Sequence, residues 1–256
     1  MERSPQTELA IEMRGVAVGA LRDQTLVVVE EINWQVFATD YWVIAGLQGA
    51  GKSDFLMMTG GLMPPLAGTY KLFGEEMPIF EDARLKQRLR MGLVFETGQL
   101  FNQLTVAENI ALPLRYHQNL GKPEARERVQ PILEALELGP LADSTPGAIG
   151  RNWQKRVGLA RALVLKPELL VVDGPLTGLD LRHISWWQRF LNDLSRGHPL
   201  LEGKPMTMVV TAADLRPWKD SARHFAILKE KRLSILGSWS QIERGSQELV
   251  HELLAT

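Results

Sequence analysis

The octet GLQGAGKS at residues 46–53 fits the pattern G-x-x-x-x-G-K-[ST]. Gly46, Gly49 and Gly51 let the backbone curl until successive amides point at one centre, and Leu47, Gln48 and Ala50 add main-chain donors. Lys52 supplies a point charge, and Ser53 offers a hydroxyl to a hard divalent cation. This set suits the β- and γ-phosphates of a nucleoside triphosphate, with ATP and Mg2+ as the expected ligands. A second piece, LLVVDGPLTGLD, occupies residues 169–180. Four apolar residues deliver Asp173 as a buried strand delivers an acid to a site, and Asp173 is suited to complete the metal shell. The next position, where a catalytic carboxylate would be useful, is Gly174.

These groups must be brought together by strands and helices. TLVVVE (25–30), INWQVF (32–37) and YWVIAG (41–46) read as strands, and the third runs into the glycine turn and a helix, KSDFLMMTGGLM. GTYKLFGEE (68–76) reads as a hairpin, FEDARLKQRLRM (80–91) as a short amphipathic helix and MGLVFE (91–96) as a strand. From about 105 to 165 the spacing is helical, in VAENIALPLRYH, PEARERVQPILEALEL and NWQKRVGLARALVL. Val129, Ile132, Leu133 and Leu136 recur at helical spacing with charges between them. Alternation then resumes with ELLVVD (168–173), ISWWQRFLNDLSR (184–196), MTMVVTA (206–212) and HFAILKEKRLSIL (224–236). The pattern predicts an α/β fold with a mostly parallel sheet and flanking helices, an N-terminal antiparallel β part and an inserted helical subdomain. The expected division is a core of 10–98 with 165–245, a helical subdomain at 99–164, and a helix or tail at 246–256.

With 256 residues, 45% hydrophobic and 23% charged, the chain suits one large α/β domain or a domain with a subdomain. A net charge of −1 provides no global field for nucleic acid, so none is expected as a partner. The absence of cysteine excludes disulfides and thiolate metal sites. No apolar run approaches the ~18 residues of a spanning helix, and MERSPQTELAIEM carries charges where a signal peptide needs an apolar run, so a cytoplasmic protein is expected. His117, His183, His198, His224 and His251 show no ligand spacing. Trp186 and Trp187 point about 100° apart on a helix, so at most one is expected to be fully buried. Asp54 suits a helix dipole but adds negative charge beside the phosphates.

Between the two motifs a longer likeness appears. VFETGQLFNQLTVAENIALPLRYH resembles the segment following the Q-loop of ABC-transporter ATP-binding subunits, and QKRVGLARALVLKPELLVVDGPLTGLD resembles the block from their signature motif through Walker B to the D-loop. VVTAADL and RHFAILKEKRLSILG are similar to their switch region and closing strands, and the likeness spans roughly residues 10–240. It implies a P-loop NTPase core that dimerises head to tail, as homodimer or heterodimer, around two ATPs. It also implies membrane-spanning permease subunits as partners and a peripheral place on the inner face of the membrane. LFNQLTVAENIALPLR is similar, further, to ATP-binding subunits of MCE-type lipid transporters.

Position by position, the likeness is incomplete. The Q-loop glutamine is Glu96, which can still coordinate magnesium. The signature aligns with IGRNW (149–153), so its serine is Gly150 and its two glycines are Arg151 and Asn152. The glutamate that polarises the attacking water is Gly174, and the switch histidine is Ala213, whereas D-loop Asp180 remains. The aromatic that stacks on adenine is missing from VAVGA (16–20), and Trp34 and Trp42 are expected to pack in strand interiors. A base or water-positioning group is worth ~10²–10⁴ in rate. The resemblance therefore implies a transporter subunit that binds MgATP yet hydrolyses it poorly, as a structural or regulatory chain or the degenerate half of a dimer. The alternative is an active ATPase with Glu96 as base and Arg151 as phosphate clamp. The downstream block argues against a soluble kinase or GTPase of another class.

Overall fold

The computed structural model describes residues 8–77 and 85–244. The predicted tail at 246–256, His251, and the first part of the predicted 80–91 helix lie outside the described residues.

Two sheets carry the fold. In the first, β1 (Leu9–Ala20), β2 (Asp23–Phe37), β4 (Ala67–Leu72) and β5 (Glu75–Glu76) are antiparallel in the order β2-β1-β4-β5. The second contains β3 (Tyr41–Ala45), β6 (Met91–Val94), β7 (Leu169–Val172), β8 (Thr207–Ala212), β9 (His224–Lys229) and β10 (Arg232–Gly237), in the order β10-β9-β3-β8-β7-β6. Only the β9–β10 pair in it is antiparallel. Strands β7 and β8 are buried along their whole length, which is why LLVV and TMVVTA read as continuous runs rather than alternating ones.

Two predicted strands, 25–30 and 32–37, are in fact parts of the one 15-residue β2. The charged pair Glu30-Glu31 marks an irregularity in pairing rather than a turn, with Glu31 at φ 53°. β1 was not predicted at all. Its register shifts between Met13 and Val16 and again by Val18, which breaks the two-residue period that betrays a strand.

The helices are α1 (Lys52–Thr59), α2 (Leu85–Arg88), α3 (Val106–His117), α4 (Lys122–Ala135), α5 (Arg151–Leu163), α6 (Leu181–Arg196) and α7 (Trp239–Arg244). The predicted helix at 80–91 is, among the described residues, only the single turn of α2, because Met91 already belongs to β6. A capping box starts α3: the Thr105 hydroxyl accepts the Glu108 amide at 3.2 Å, and the Glu108 carboxylate accepts the Thr105 amide at 3.1 Å. α4 buries Val129, Ile132 and Leu133 as its periodicity predicts.

Strand β3 shows how the parallel sheet divides the core. Tyr41, Val43 and Ala45 join the apolar cluster containing residues of α3, α4, α5 and α6, whereas Trp42 and Ile44 join α1 and the antiparallel sheet. Trp34 and Trp42 are packed in the second cluster with rings 5.5 Å apart, as expected of strand interiors. On α6, Trp187 is fully buried and Trp186 keeps 7% exposure. Trp186 is covered by the Arg156 guanidinium 3.7 Å above its ring and by Phe190 stacked at 4.9 Å. Among the described residues no helix is long and apolar enough to cross a membrane.

Candidate functional site

Strand β3 ends at Ala45 and the chain enters the 46–53 loop. Gly49 (φ 83°) and Gly51 (φ 87°) turn it through left-handed backbone, and Gly51 caps α1 without any side chain bonding to its first turn. A β-carbon on Gly51 would lie 3.2 Å from Val29 of β2, so the antiparallel sheet braces the loop from behind. Lys52 folds back over the curl, its Nζ donating to the carbonyls of Gly46 at 2.5 Å and Leu47 at 2.8 Å. Burial pushes the Lys52 ammonium below its ordinary pKa, and the charges of Asp173 and Glu96 push it back up. Ser53 is exposed. Asp54 has a task unforeseen from sequence: its Oδ1 accepts the Leu21 amide at 2.8 Å and ties the β1–β2 hairpin tip to α1.

Asp173 follows β7, its amide donating to Val94 of β6 at 2.8 Å. Its Oδ1 accepts the Thr211 hydroxyl at 2.7 Å, and that hydroxyl oxygen accepts the Gly174 amide at 3.0 Å. Thr211, fully buried in β8, therefore fixes both residues and leaves the second oxygen of Asp173 to other partners. Gly174 has φ 48°, and a β-carbon there would lie 2.9 Å from Thr177 Oγ1 and 3.3 Å from Glu96 Oε2. From below, Lys155 of α5 donates to the carbonyls of Gly174 at 3.2 Å and Thr177 at 2.7 Å. Burial lowers the Lys155 pKa, opposed by the charges of Glu96 and Asp173.

Lys52, Asp173, Glu96 and Lys155 thus share one electrostatic neighbourhood. The Ser53 hydroxyl, the free oxygen of Asp173 and the Glu96 carboxylate are hard oxygen donors, a set that fits Mg2+. Such an ion would offset the charge of a bound triphosphate.

The 150–152 segment and Asp180 form a second group. Gly150 precedes α5 without a capping side chain, and Arg151 is exposed. Asp180 caps α6 through the His183 amide at 3.0 Å and holds the His183 ring Nδ1 at 2.9 Å. Asn152 Nδ2 lies 3.4 Å from the same ring nitrogen. Among the described residues no hydrogen bond or ion pair joins this group to the 46–53 loop. Ala213 follows β8 with no ring to offer, and Val16 and Val18 are buried in β1.

Residues 29–177 match the family described as ABC transporter. The chain belongs to the ABC transporter family. It is 30% identical over 212 residues to the intermembrane phospholipid transport system ATP-binding protein MlaF of Escherichia coli strain K12, covering 82% of this chain and 77% of that one. It is also 30% identical to the spermidine/putrescine import ATP-binding protein PotA of Trichodesmium erythraeum, over 84% of this chain and 53% of that protein. The cassette MJ0796, solved as a dimeric post-hydrolysis state bound to ADP and Pi, superposes with a TM-score of 0.76 at 25% identity, covering 87% of this chain and 96% of that one. CbiO1 from Clostridium perfringens, part of the ABC transporter complex cbiONQ, has the same TM-score at 21% identity, over 96% and 94% of the two chains, a likeness of fold. The predicted α/β P-loop architecture is thus that of this ABC transporter ATP-binding chain.

The matched span contains the 46–53 loop, Glu96, the 149–153 segment and Gly174. Sequence reasoning missed two residues of the site. Thr211 had one signal, a hydroxyl at the end of the strand that pairs with β7. Lys155 had a weaker one, a lysine on the buried face of an otherwise ordinary helix.

Proposed function

We propose that this ABC transporter chain binds MgATP through residues 46–53, with Ser53, Asp173 and Glu96 around the metal, and hydrolyses it slowly. Gly150, Arg151, Asn152 and Asp180 then form the face turned to a second ATP-binding subunit, and permease subunits anchor the pair to the inner face of a membrane. The observation that supports this most is a contrast within one site. Lys52 sits inside a braced glycine loop, while residues 174 and 213 carry no group able to accept a proton or hold a water. Loss of two such groups leaves the phosphate cradle intact and removes the usual route to turnover. A lipid is the proposed cargo, supported by the similarity to MlaF and by the 100–115 stretch.

The test is turnover by the chain assembled with its membrane partners. The reading predicts a rate well below the ~10 s⁻¹ typical of enzymes. An ordinary rate that Lys52→Ala abolishes would contradict it. Capture of the tagged chain from solubilised membranes should bring down a polytopic permease and show whether the second ATP-binding subunit is another copy.

A further inference from the structure

Lys155 is a charged side chain held inside the protein. It keeps 7% exposure, and its Nζ donates to the carbonyls of Gly174 at 3.2 Å and Thr177 at 2.7 Å. Both acceptors are neutral, and a buried ammonium is costly unless opposite charge answers it. The carboxylates that do so are Glu96 and Asp173. Residue 174 joins the three groups. Its carbonyl accepts from Lys155, its amide donates to the Thr211 hydroxyl that in turn donates to Asp173, and a β-carbon on it would lie 3.3 Å from Glu96 Oε2. Lys52 interacts with the same two carboxylates from the 46–53 loop, so two ammonium groups answer two carboxylates before any ligand enters. Among the described residues no hydrogen bond or ion pair engages the Glu96 carboxylate, which is exposed and answered by water in the empty site. A triphosphate on the loop would engage the charge of Lys52, displace part of that water and set its own negative charge near Glu96. Lys155, pinned to the 174–177 turn, is the positive charge that remains to offset it.

We infer that Lys155 is the countercharge that lets a carboxylate at position 96 stand beside a bound triphosphate, and that it acts by its charge as well as by its hold on the 174–177 turn. The inference rests on the proposed binding of MgATP at residues 46–53 and adds to that site a residue of α5, a helix that otherwise stands apart from the loop. Removing Lys155 takes one positive charge from around the nucleotide, and replacing Glu96 by its amide takes away one negative charge, so the two changes should offset each other. Because Lys155 is buried, water and salt screen its charge less than that of a surface lysine.

The experiment titrates the intact chain with a fluorescent ATP analogue at saturating Mg2+, with a melting curve of each variant to show that it is folded. Lys155→Gln keeps a donor for the two carbonyls but removes the charge, and it should bind the analogue about tenfold more weakly than wild type, at high salt as at low. Lys155→Arg keeps the charge and should bind within about threefold of wild type. Adding Glu96→Gln to Lys155→Gln leaves an oxygen ligand for the metal and should bring binding back to within about threefold of wild type. Glu96→Gln alone, an exposed change that leaves Lys155 in place, should bind at least as tightly as wild type. Wild-type binding by Lys155→Gln, equal loss in the Gln and Arg variants, a double variant no better than Lys155→Gln, or weaker binding by Glu96→Gln alone would each overturn the inference. Absence of saturable binding by the wild type would overturn the nucleotide reading itself, and the first curve alone reveals it.

Discussion

Gly174→Glu restores on paper the carboxylate that the chain lacks, and it should fail for reasons that can be sized. Residue 174 sits at φ 48°, in left-handed backbone that costs an L-residue about 1–2 kcal/mol. The new β-carbon would meet Thr177 Oγ1 at 2.9 Å, but Thr177 is exposed and rotates away at a cost of about 0.5 kcal/mol. The new β-carbon would lie 3.3 Å from Glu96 Oε2, and a carboxylate held within about 4 Å of that of Glu96 would, at an effective dielectric of about 20, be repelled by about 4 kcal/mol. Because Glu96 is exposed and can swing into solvent, about 1 kcal/mol of that should survive. The sum is about 3 kcal/mol, and at about 2–4 °C per kcal/mol for a chain of this size the melting temperature should fall by about 6–12 °C. Gly174→Ala keeps the backbone cost and the Thr177 contact without the second charge and should lose about two-thirds as much. Adding Glu96→Gln to Gly174→Glu should recover the repulsive part alone. Calorimetry on the purified, nucleotide-free variants reads all three. A Gly174→Ala protein that melts with the wild type would refute the strained turn, and a Glu96→Gln partner that rescues nothing would refute the closeness of the two side chains.

Other expectations follow from single contacts. Thr39 is a β-branched residue at φ 68° in the β2–β3 turn. Thr39→Gly should therefore gain about 0.5–1 kcal/mol net of the added freedom of the unfolded chain, raising the melting temperature by about 1–3 °C. At Asp40, burial raises the carboxyl pKa, but hydrogen bonds from His224, the Phe37 amide and the Trp42 indole, with the His224 charge, outweigh burial and leave it below the usual value. A depressed folded value means stability that is present above the unfolded pKa of about 3.9 and lost as pH falls through the folded one. The stability advantage over Asp40→Asn should accordingly shrink below about pH 4 in denaturant titrations. Asp54→Thr removes a negative charge from the first turn of α1 and should tighten nucleotide binding about two- to fivefold at low salt, an effect that fades at high salt. Weaker binding in that variant would show that the Leu21 tie matters more than the charge.

What the sequence disclosed divides along physical lines. The glycine loop, Asp173 and the buried strands β7 and β8 were legible because local residue order alone determines them. Strand β1 was not, since its register shifts erase the alternation, and β2 was split in two because charge at Glu30-Glu31 mimics a turn. In the site, the missing groups at 174 and 213 could be read by position. That Glu96 lies beside residue 174 could not be, because the contact joins the ends of β6 and β7, 78 positions apart in chain order. Thr211 and Lys155 were silent for the same reason: a hydroxyl in an apolar strand and a lysine in a helix gain meaning only from what they touch.

Everything depends on whether residues 46–53 hold a triphosphate. Equilibrium titration of the intact chain with a fluorescent ATP analogue and Mg2+, beside Lys52→Ala, asks this directly. Saturable binding that weakens about 10- to 100-fold in the variant is the predicted result, the span expected for one charge-assisted contact of about 1.5–3 kcal/mol. A flat titration, or two superimposable curves, would contradict it.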